Sequence, residues 1–436
     1  MTPMTPYEQP VVEEGNRQCN EWKAKLEDAK DQIALFAAAY QPHRPGAYYD
    51  RTLEGSLNLS LVVQFDDEGP ELIIRFPKPG RTAVHLMEEK VWNEATILNL
   101  LQHNSTIPIP KLIGWGMAAQ SPQQLGPYLV QEFVEGVKLS ELNPDPAGLD
   151  LIYEQLAEYT LQLARIQFWQ IGAIRFSDPV HNGYNATAKP LTLNHNKLAT
   201  GLAKGKVPGW ESRSRALVSE YFKDMVIEHW THMERQGNFA QDREEAKKKY
   251  KTRFMFEQLI QDFCIEDTGP FMPFRDEFKA SDILVDPETL KVKAILDWEF
   301  TNAMPAQFSY DPPRWLVSPQ PEVWLETRSL GEFKAEYEPK MDRFVRILER
   351  VEARTPGAIV PNEQPLSAKM RESWESSRFW FNVGIRNGFA IDAVYWEALH
   401  RPGNSVVDDM HGEMKRYADK CMSNLSKYQS GMWPKF

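Results

Sequence analysis

The feature that most constrains this chain is the way short β-type runs and long helical patterns divide between two regions. Two β-rich runs, SLNLSLVVQF (residues 56–65) and ELIIRFP (71–77), flank the turn-forming DDEGP and predict a hairpin. A helical pattern over about 86–103 stops at IPIP, and KLIGWG and PYLVQEFV then supply two more short apolar strands. The order strand, strand, helix, strand, strand indicates a small mixed lobe.

After residue 150 helical patterns dominate, interrupted by one predicted strand pair, DILVD (282–286) and VKAILDWEF (292–300). A small mixed lobe followed by a large helical lobe that carries one hairpin is an α+β fold. The predicted boundaries are an N-terminal helical extension (1–50), a small lobe (51–134) and a large lobe (135–436). Within the extension, residues 20–40 predict an amphipathic helix, and the polar stretch 178–206 predicts a loop that forms an insertion or a lid.

Composition and charge exclude several classes of function. The formal net charge of -11 disfavours general binding to the nucleic-acid backbone, and the run at 247–251, KKKYK, follows DREE as on a solvated helix. The sequence has no uncharged apolar stretch of about 18 residues, so no membrane span is predicted. Cys19, Cys264 and Cys421 are far apart without a CxxC pairing, which indicates a reducing, cytoplasmic setting.

Five stretches, which occur in this order over most of residues 50–316, resemble the aminoglycoside-phosphotransferase family, especially its fungal members. They are GSLNLSLVVQF, LIIRFPKPGR, EKVWNEATILNLLQHNSTIPIPKLIGWG, PYLVQEFVEGVKLSE and ILVDPETLKVKAILDWEFTNAMPAQFSYDPPRWL. The resemblance implies a two-lobed, protein-kinase-like fold. It also implies a phosphotransferase that uses ATP and Mg²⁺ and acts on a small molecule.

The resemblance places phosphate-binding groups in the small lobe. The turn with Gly55, Ser56 and Asn58 takes the nucleotide-loop position, where backbone amides can approach phosphates. Arg75 takes the strand position of a phosphate-contacting cation, and Glu94 takes that of its acidic partner. The simpler interpretations are an ordinary hairpin turn, an exposed arginine and a solvated helix glutamate.

The resemblance also implies residues for adenine and for the metal ion. Gln131, Glu132 and Phe133 match the segment between the lobes whose backbone receives the adenine edge, although an ordinary core strand shows the same pattern. Asp297 in ILDWEF matches the family's magnesium-binding acid after a buried strand, and Glu299 assists or orients it. In isolation, Asp297 can equally cap the turn after the strand.

The catalytic loop departs from the family's usual His-x-Asp triplet with Asn five positions after the Asp. Here the sequence is FMPFRDEFKASDILVD. Aligned without a gap on ILVD, Asp282 takes the Asn position as a metal ligand, Glu277 takes that of the catalytic base, and Lys279 replaces an arginine. If Asp276 were the base instead, its partner would be Ser281 and the strand would need a one-residue insertion. A charged surface loop is the plainer interpretation.

Other features of the loop leave two functions open. Phe274 and Arg275 stand where the family's His would brace the loop. The first function is ATP- and Mg²⁺-dependent phosphorylation of a hydroxyl on a small-molecule metabolite, with the acceptor pocket formed by residues 178–209 and the helices after Pro312. The second is a repurposed fold that uses the same cleft as a binding protein or as a non-phosphorylating enzyme of specialised metabolism. Aromatic residues of the C-terminal half serve there as helical core or as a ligand cage: Trp315, Trp374, Trp380, Phe381 and Trp396.

Overall fold

A computed structural model of the chain describes residues 8–176, 183–202, 213–359, 361–401 and 410–433. Its strands are β1 (Tyr48–Glu54), β2 (Asn58–Gln64), β3 (Leu72–Pro77), β4 (Leu112–Gly116), β5 (Tyr128–Glu132), β6 (Val137–Lys138), β7 (Ala173–Phe176), β8 (Tyr184–Ala188), β9 (Phe271–Arg275), β10 (Ile283–Val285), β11 (Val292–Ile295) and β12 (Thr301–Pro305). Its helices are α1 (Gln9–Asp28), α2 (Lys30–Ala38), α3 (Met87–Asn104), α4 (Pro146–Ala164), α5 (Leu193–Gly201), α6 (Val218–Arg235), α7 (Arg243–Gln258), α8 (Ile260–Phe263), α9 (Ala306–Ser309), α10 (Pro321–Thr327), α11 (Leu330–Arg354), α12 (Leu366–Glu375), α13 (Arg378–Ile385), α14 (Ile391–Val394) and α15 (Met410–Gln429).

The small lobe is built on a five-stranded antiparallel sheet in the order β1-β2-β3-β5-β4. The predicted hairpin is confirmed, with Leu61 of β2 opposite Ile74 of β3. Strand β1 was not predicted and begins at Tyr48. Its sequence YYDRTLE is mostly exposed, so it lacks the buried apolar alternation on which the other strand predictions depend.

The N-terminal segment folds as two helices that pack on this sheet. The single helix predicted over residues 20–40 is wrong, because α1 begins at Gln9 and the helix is interrupted at Ala29 before α2. Trp22 and Ile33 are buried in the same apolar cluster as Leu61 and Ile74 of the sheet. The indole N–H of Trp22 also donates to the carbonyl oxygen of Leu125 at 2.7 Å. The extension therefore forms one side of the small-lobe core.

The large lobe is mostly helical and contains the predicted strand pair β10–β11, which is antiparallel and extended by β6. Local signals explain where its long helices begin. Asp145 and Asp242 accept hydrogen bonds from the first turns of α4 and α7, and Ser329 forms a capping box with Glu332 at the start of α11. The two-lobed, kinase-like α+β fold predicted from the sequence is thus confirmed, while the division into three segments stays a prediction.

The polar stretch 178–206 was predicted to be a loop, and that prediction is wrong for the part that the structure describes. Residues 178–182 and 203–206 lie outside the described residues, but between them the chain forms β8 and α5. The side chain of Thr192 accepts a hydrogen bond from the amide of His195 and caps α5. The Asn196 side chain accepts one from the amide of Ala83, so tertiary contacts with the small lobe hold this short polar helix.

Several smaller predictions can also be compared with the structure. Residues 247–251 lie on α7, where Lys247 and Lys249 pair with Glu244 and Glu245 at 2.6 and 2.9 Å, as expected of a solvated helix. The three cysteines are free. Trp315, Trp380 and Phe381 are buried in the large-lobe core, with Trp374 and Trp396 packed against it. Among the described helices, none combines the length and the apolar composition that crossing a bilayer requires.

We expect Trp22→Ala to lower the free energy of unfolding by about 3–5 kcal/mol, because it removes a buried indole from the interface between α1 and the sheet. The matched control is Trp169→Ala, since that side chain is 89% exposed and its loss should change stability by less than about 0.5 kcal/mol. Urea unfolding followed by circular dichroism measures both. Equal effects of the two substitutions would show that the N-terminal helices do not contribute to the core.

Candidate active site

A cleft of about 670 Å³ lies between the lobes and gathers most of the residues singled out in the sequence. Its wall includes the predicted nucleotide-loop, adenine-segment and metal positions: Gly55, Ser56, Asn58, Arg75, Glu94, Gln131, Glu132, Phe133, Lys279, Asp282, Asp297 and Glu299. The other two predicted catalytic residues, Asp276 and Glu277, line a separate, smaller cavity. The structure therefore brings twelve of the fourteen predicted positions to one cleft.

Arg75 is the central cation of the cleft. It lies on the middle strand of the sheet, opposite Ser60 of β2, and its guanidinium contacts acids from two other elements. Nη2 donates to Glu94 Oε2 of α3 at 2.5 Å, and Nη1 donates to Asp297 Oδ1 at 2.8 Å. Nη2 also lies 3.4 Å from Glu299 Oε2. The predicted contact between Arg75 and Glu94 is present, and it extends to the turn after β11.

Lys90 is a second buried cation that sequence reasoning missed. It stands four residues before Glu94 on α3, its side chain is only 1% exposed, and it pairs with Glu299. Its Nζ also donates to Asn58 Oδ1 at 2.6 Å, and Asn58 Nδ2 donates to Glu299 Oε2 at 2.8 Å. Asn58 and Glu299 therefore brace each other, and the Asn58 amide is used within the protein. The available signal was the spacing of Lys90 and Glu94, which puts both on the same helix face.

The charges of this network act on one another through a poorly hydrated region. Burial raises the pKa of Glu94, against the pull of Arg75. Burial also acts to raise the pKa of Glu299, but the charges of Lys90 and Arg75 outweigh it and lower that pKa overall. Glu299 is therefore an ionised buried group held between two cations, which fits the predicted orienting role better than direct metal binding.

The backbone of Asp297 adopts a left-handed conformation that is unusual for a non-glycine residue. Its φ of 59° lies in the left-handed region, which non-glycine residues seldom adopt, and its side chain is 44% exposed in the cleft. Phe300, three residues on, is also left-handed. Such outliers concentrate at functional sites, because the surrounding structure has to maintain the strained turn.

Arg275 braces the altered catalytic loop. Its guanidinium donates to the carbonyl oxygens of Leu296 at 2.5 Å and Glu277 at 3.1 Å, and it pairs with the Asp282 carboxylate. This is the bracing position that the resemblance assigned to a histidine. Burial and the nearby charge of Asp297 raise the pKa of Asp282, while Arg275 opposes that rise. Asp282 and Asp297 thus lie near each other on one wall of the cleft.

The two candidate bases have different surroundings. Glu277 is partly exposed and pairs with Lys279 at 2.9 Å, and Lys279 itself lines the nucleotide cleft. Asp276 is largely buried, where it accepts from the amide of Leu193 at 3.3 Å and lies 3.6 Å from Arg386. Burial raises the pKa of Asp276, against the charge of Arg386. Both acids line the small cavity rather than the cleft, with Asp276 buried near Arg386 and Glu277 partly exposed beside Lys279 of the cleft wall.

The small cavity beside these acids, of about 30 Å³, is lined by residues of α5, of α10 and of the end of α13. Its charged and polar lining consists of Asn194, Lys197, Asp276, Glu277, Arg314, Glu322, Arg386 and Asn387. The acceptor pocket was predicted to be formed by residues 178–209 and the helices after Pro312. Of that region, residues 178–182 and 203–209 lie outside the described residues, while α5 and α10 do reach the candidate base. Arg314 is partly buried and Arg386 is buried, and neither had a sequence signal, since arginine is usually solvated.

The predicted nucleotide loop and adenine segment form two other walls of the cleft. Gly55 and Ser56 are exposed at the β1–β2 turn, and Lys78 Nζ donates to the carbonyl oxygen of Gly55 at 2.6 Å. The amide of Glu132 donates to Lys111 O at 3.0 Å, which ties the end of β5 to β4. Glycine is not required at 55 by crowding, because a Cβ there meets only a carbonyl oxygen at 3.5 Å. Adenine and phosphate binding by these segments stays a prediction.

The donor atoms in the cleft fit a magnesium ion bound together with a nucleotide. Within the described residues, no three His, Cys, Asp or Glu side chains are grouped as a complete metal site. Mg²⁺ is typically held by one or two carboxylates together with substrate phosphates and water, so a pair such as Asp282 and Asp297 has the expected ligand type and number. These metal assignments remain predictions.

Comparison with known proteins supports the family resemblance. Residues 52–254, just under half of the 436-residue chain, match the model of the family described as APH, Phosphotransferase enzyme family, which confirms the resemblance. The match ends before the loop that carries Glu277 and Asp282, so the roles of these residues are not tested by it. Among curated proteins, none matches significantly.

Solved structures of small-molecule kinases are also similar to this chain. Aminoglycoside phosphotransferase APH(4)-Ia has 12% identity and a TM-score of 0.45, covering 91% of this chain and 98% of its own. Ethanolamine kinase from Plasmodium vivax has 11% identity and a TM-score of 0.41, covering 94% of each chain. The microcompartment-associated aminopropanol kinase has 12% identity and a TM-score of 0.42, covering 92% and 99%. The two-lobed fold is defined by the element order and strand pairing of the chain itself.

We expect Lys90→Met to lower the free energy of unfolding by about 3–5 kcal/mol, because it leaves the buried carboxylate of Glu299 without its main counter-charge. Lys247→Met is the matched control; its pair with Glu244 is exposed, and its loss should cost less than about 1 kcal/mol. Adding Glu299→Gln to Lys90→Met should restore part of the loss. Denaturant unfolding gives the free energy of unfolding of the wild type, the two single variants and the double variant. A loss in Lys90→Met as small as the loss in Lys247→Met would contradict a buried network.

Proposed function

We propose that this protein is an ATP- and Mg²⁺-dependent phosphotransferase that phosphorylates a hydroxyl group of a small molecule. The observation that carries the proposal is the convergence, in one cleft, of a sheet arginine, two acids of the β10–β11 region and the segment that joins the lobes. Phosphoryl transfer mainly requires positioning and charge stabilisation, and these are the groups that such a site needs. The match to a phosphotransferase family supports the same reaction class.

Arg75 binds phosphate in this proposal. Its planar guanidinium can contact phosphate oxygens in a bidentate manner, and Glu94 at 2.5 Å fixes its orientation. In the present structure one of its nitrogens is used by Asp297, so nucleotide binding would exchange a carboxylate partner for a phosphate partner. Both partners are anions, which keeps the buried guanidinium charge compensated throughout.

Acids of the large lobe supply the two remaining functions, metal binding and proton acceptance. When bound, Mg²⁺ would neutralise phosphate charge, and Asp282 and Asp297 are the residues that would hold it. Glu277 orients the acceptor hydroxyl and accepts its proton, as a positioned carboxylate can do. Its link to the cleft is Lys279, which pairs with it at 2.9 Å and lines the cleft wall. Arg275 keeps the loop backbone fixed while this occurs.

A second candidate is a nucleotide- or metabolite-binding protein that does not transfer phosphate. One observation favours it: both candidate metal ligands are already neutralised, Asp282 by Arg275 and Asp297 by Arg75. A base one methylene longer than aspartate is a further departure, since small misplacements can cost about a hundredfold in rate. Stabilisation by ATP without any turnover would select this candidate.

We expect MgATP to raise the melting temperature of the wild-type protein, because a ligand that binds only the folded state stabilises it by mass action. Asp297→Asn should abolish the magnesium-dependent part of the shift, seen as equal shifts with ATP plus Mg²⁺ and ATP plus EDTA. Asp28→Asn, an exposed position on α1, is the matched control and should behave as wild type. A full magnesium-dependent shift in Asp297→Asn would remove this residue from the metal site.

We expect Glu277→Gln to reduce turnover by about 10²–10⁴-fold while leaving the MgATP-induced melting shift unchanged, because it removes a proton acceptor and not a nucleotide contact. The assay uses radiolabelled ATP with a panel of hydroxyl-bearing metabolites. Glu288→Gln, an exposed position on the β10–β11 turn, is the matched control. Unchanged turnover in Glu277→Gln would exclude it as the base.

A further inference from the structure

A second cavity, of about 150 Å³, lies within the large lobe and does not belong to the nucleotide cleft proper. It is bounded by α4, by the end of β9, by the start of β12 and by the segment 308–316. Its surface is mainly apolar and aromatic, with walls that include Leu156, Tyr159, Phe278, Trp298, Phe308 and Trp315. An engineered cavity of this size in another protein stays dry and binds benzene, so the space suits one small ring.

Two polar atoms in the wall of this cavity have no hydrogen-bond partner within the part of the chain that the structure describes. They are Thr301 Oγ1 and Asp311 Oδ2, and the two residues are only 1% and 8% exposed. Asp311 Oδ1, in contrast, accepts from Ser373 Oγ at 2.6 Å and Asn382 Nδ2 at 2.9 Å. Arg386 approaches Asp311 Oδ2 only to 3.8 Å. A buried polar atom without a partner destabilises the folded protein, and a bound hydroxyl group would supply the missing hydrogen bonds.

The cavity also adjoins the loop that carries the candidate catalytic residues. Arg275 and Phe278 form part of its wall, and the Arg275 guanidinium stacks on the Phe278 ring with 4.6 Å between its carbon and the ring centroid. The same guanidinium pairs with Asp282. A molecule in the cavity would therefore contact the brace that holds the loop.

We propose that this cavity is a binding site for a small aromatic or alicyclic molecule that carries one hydroxyl group. The ring packs against the aromatic walls, and the hydroxyl group donates to Asp311 and accepts from Thr301. Because Arg275 and Phe278 contact the occupant, the site is placed to act as an effector site on the catalytic loop. The inference is independent of the proposed phosphoryl transfer, since it concerns binding outside the nucleotide cleft.

The test uses 4-fluorophenol and fluorobenzene as probes, observed by ¹⁹F NMR with the full-length protein. We expect 4-fluorophenol to bind with 1:1 stoichiometry and more tightly than fluorobenzene. Two variants fill the cavity from different walls, Ala164→Leu and Ser309→Leu, and both should abolish binding while keeping a cooperative melting transition. Unchanged binding in either folded variant, or no saturable binding in the wild type, would overturn the proposal.

A third variant tests the hydroxyl anchor. Thr301→Val removes the hydroxyl with little change of shape, so the preference for 4-fluorophenol over fluorobenzene should fall by about fivefold to tenfold. Thr96→Val is the matched control, because Thr96 is also buried but lies on α3, where its hydroxyl donates to Trp92 O at 2.8 Å. An unchanged preference in Thr301→Val would contradict the assigned polar contact.

Discussion

Arg75 joins the two lobes, because its guanidinium contacts acids from both. Its guanidinium reaches Glu94 on α3 and Asp297 after β11, and it lies near the buried Glu299. A buried cation of this kind requires compensation, and three carboxylates supply it. The arginine therefore ties the sheet to the helix behind it and to the turn of the opposite lobe. Any ligand that binds in the cleft has to compete with or complement this arrangement.

Other acids at the cleft are also paired with cations that compensate their charge. Lys90 compensates Glu299, Arg275 compensates Asp282, and Lys279 pairs with Glu277. Acids that would otherwise repel one another are thereby kept close together. In the proposed reaction, phosphate oxygens would replace Asp297 as the partner of Arg75. A nucleotide-binding protein would use the same exchange, so we favour transfer over binding alone because of the match to a phosphotransferase family.

The sequence predicted the elements that have strong local patterns and missed contacts that depend on tertiary placement. The β2–β3 hairpin, α3 and the β10–β11 pair follow apolar periodicity, whereas the contact of Arg75 with Glu94 was implied by the family resemblance. Lys90 was missed because a lysine in a helical pattern ordinarily faces solvent.

Three other features also differ from the predictions. Strand β1 is mostly exposed, so it has little apolar alternation, and α5 is a short helix held by a cap and by contacts with the small lobe. Asn58 was assigned to the phosphate loop, yet its side-chain amide accepts a hydrogen bond from Lys90 and donates one to Glu299. The contacts of α5 with Ala83 and of Asn58 with Glu299 join residues far apart in the chain, which a local pattern cannot reveal.

A crystal structure with MgATP or a non-hydrolysable analogue tests the central claim most directly. We expect adenine against the 131–133 segment, phosphate oxygens on Arg75, and Asp297 released from Arg75 towards the metal ion. A structure at saturating nucleotide in which the Arg75–Asp297 pair stays closed and the cleft holds no nucleotide would contradict it.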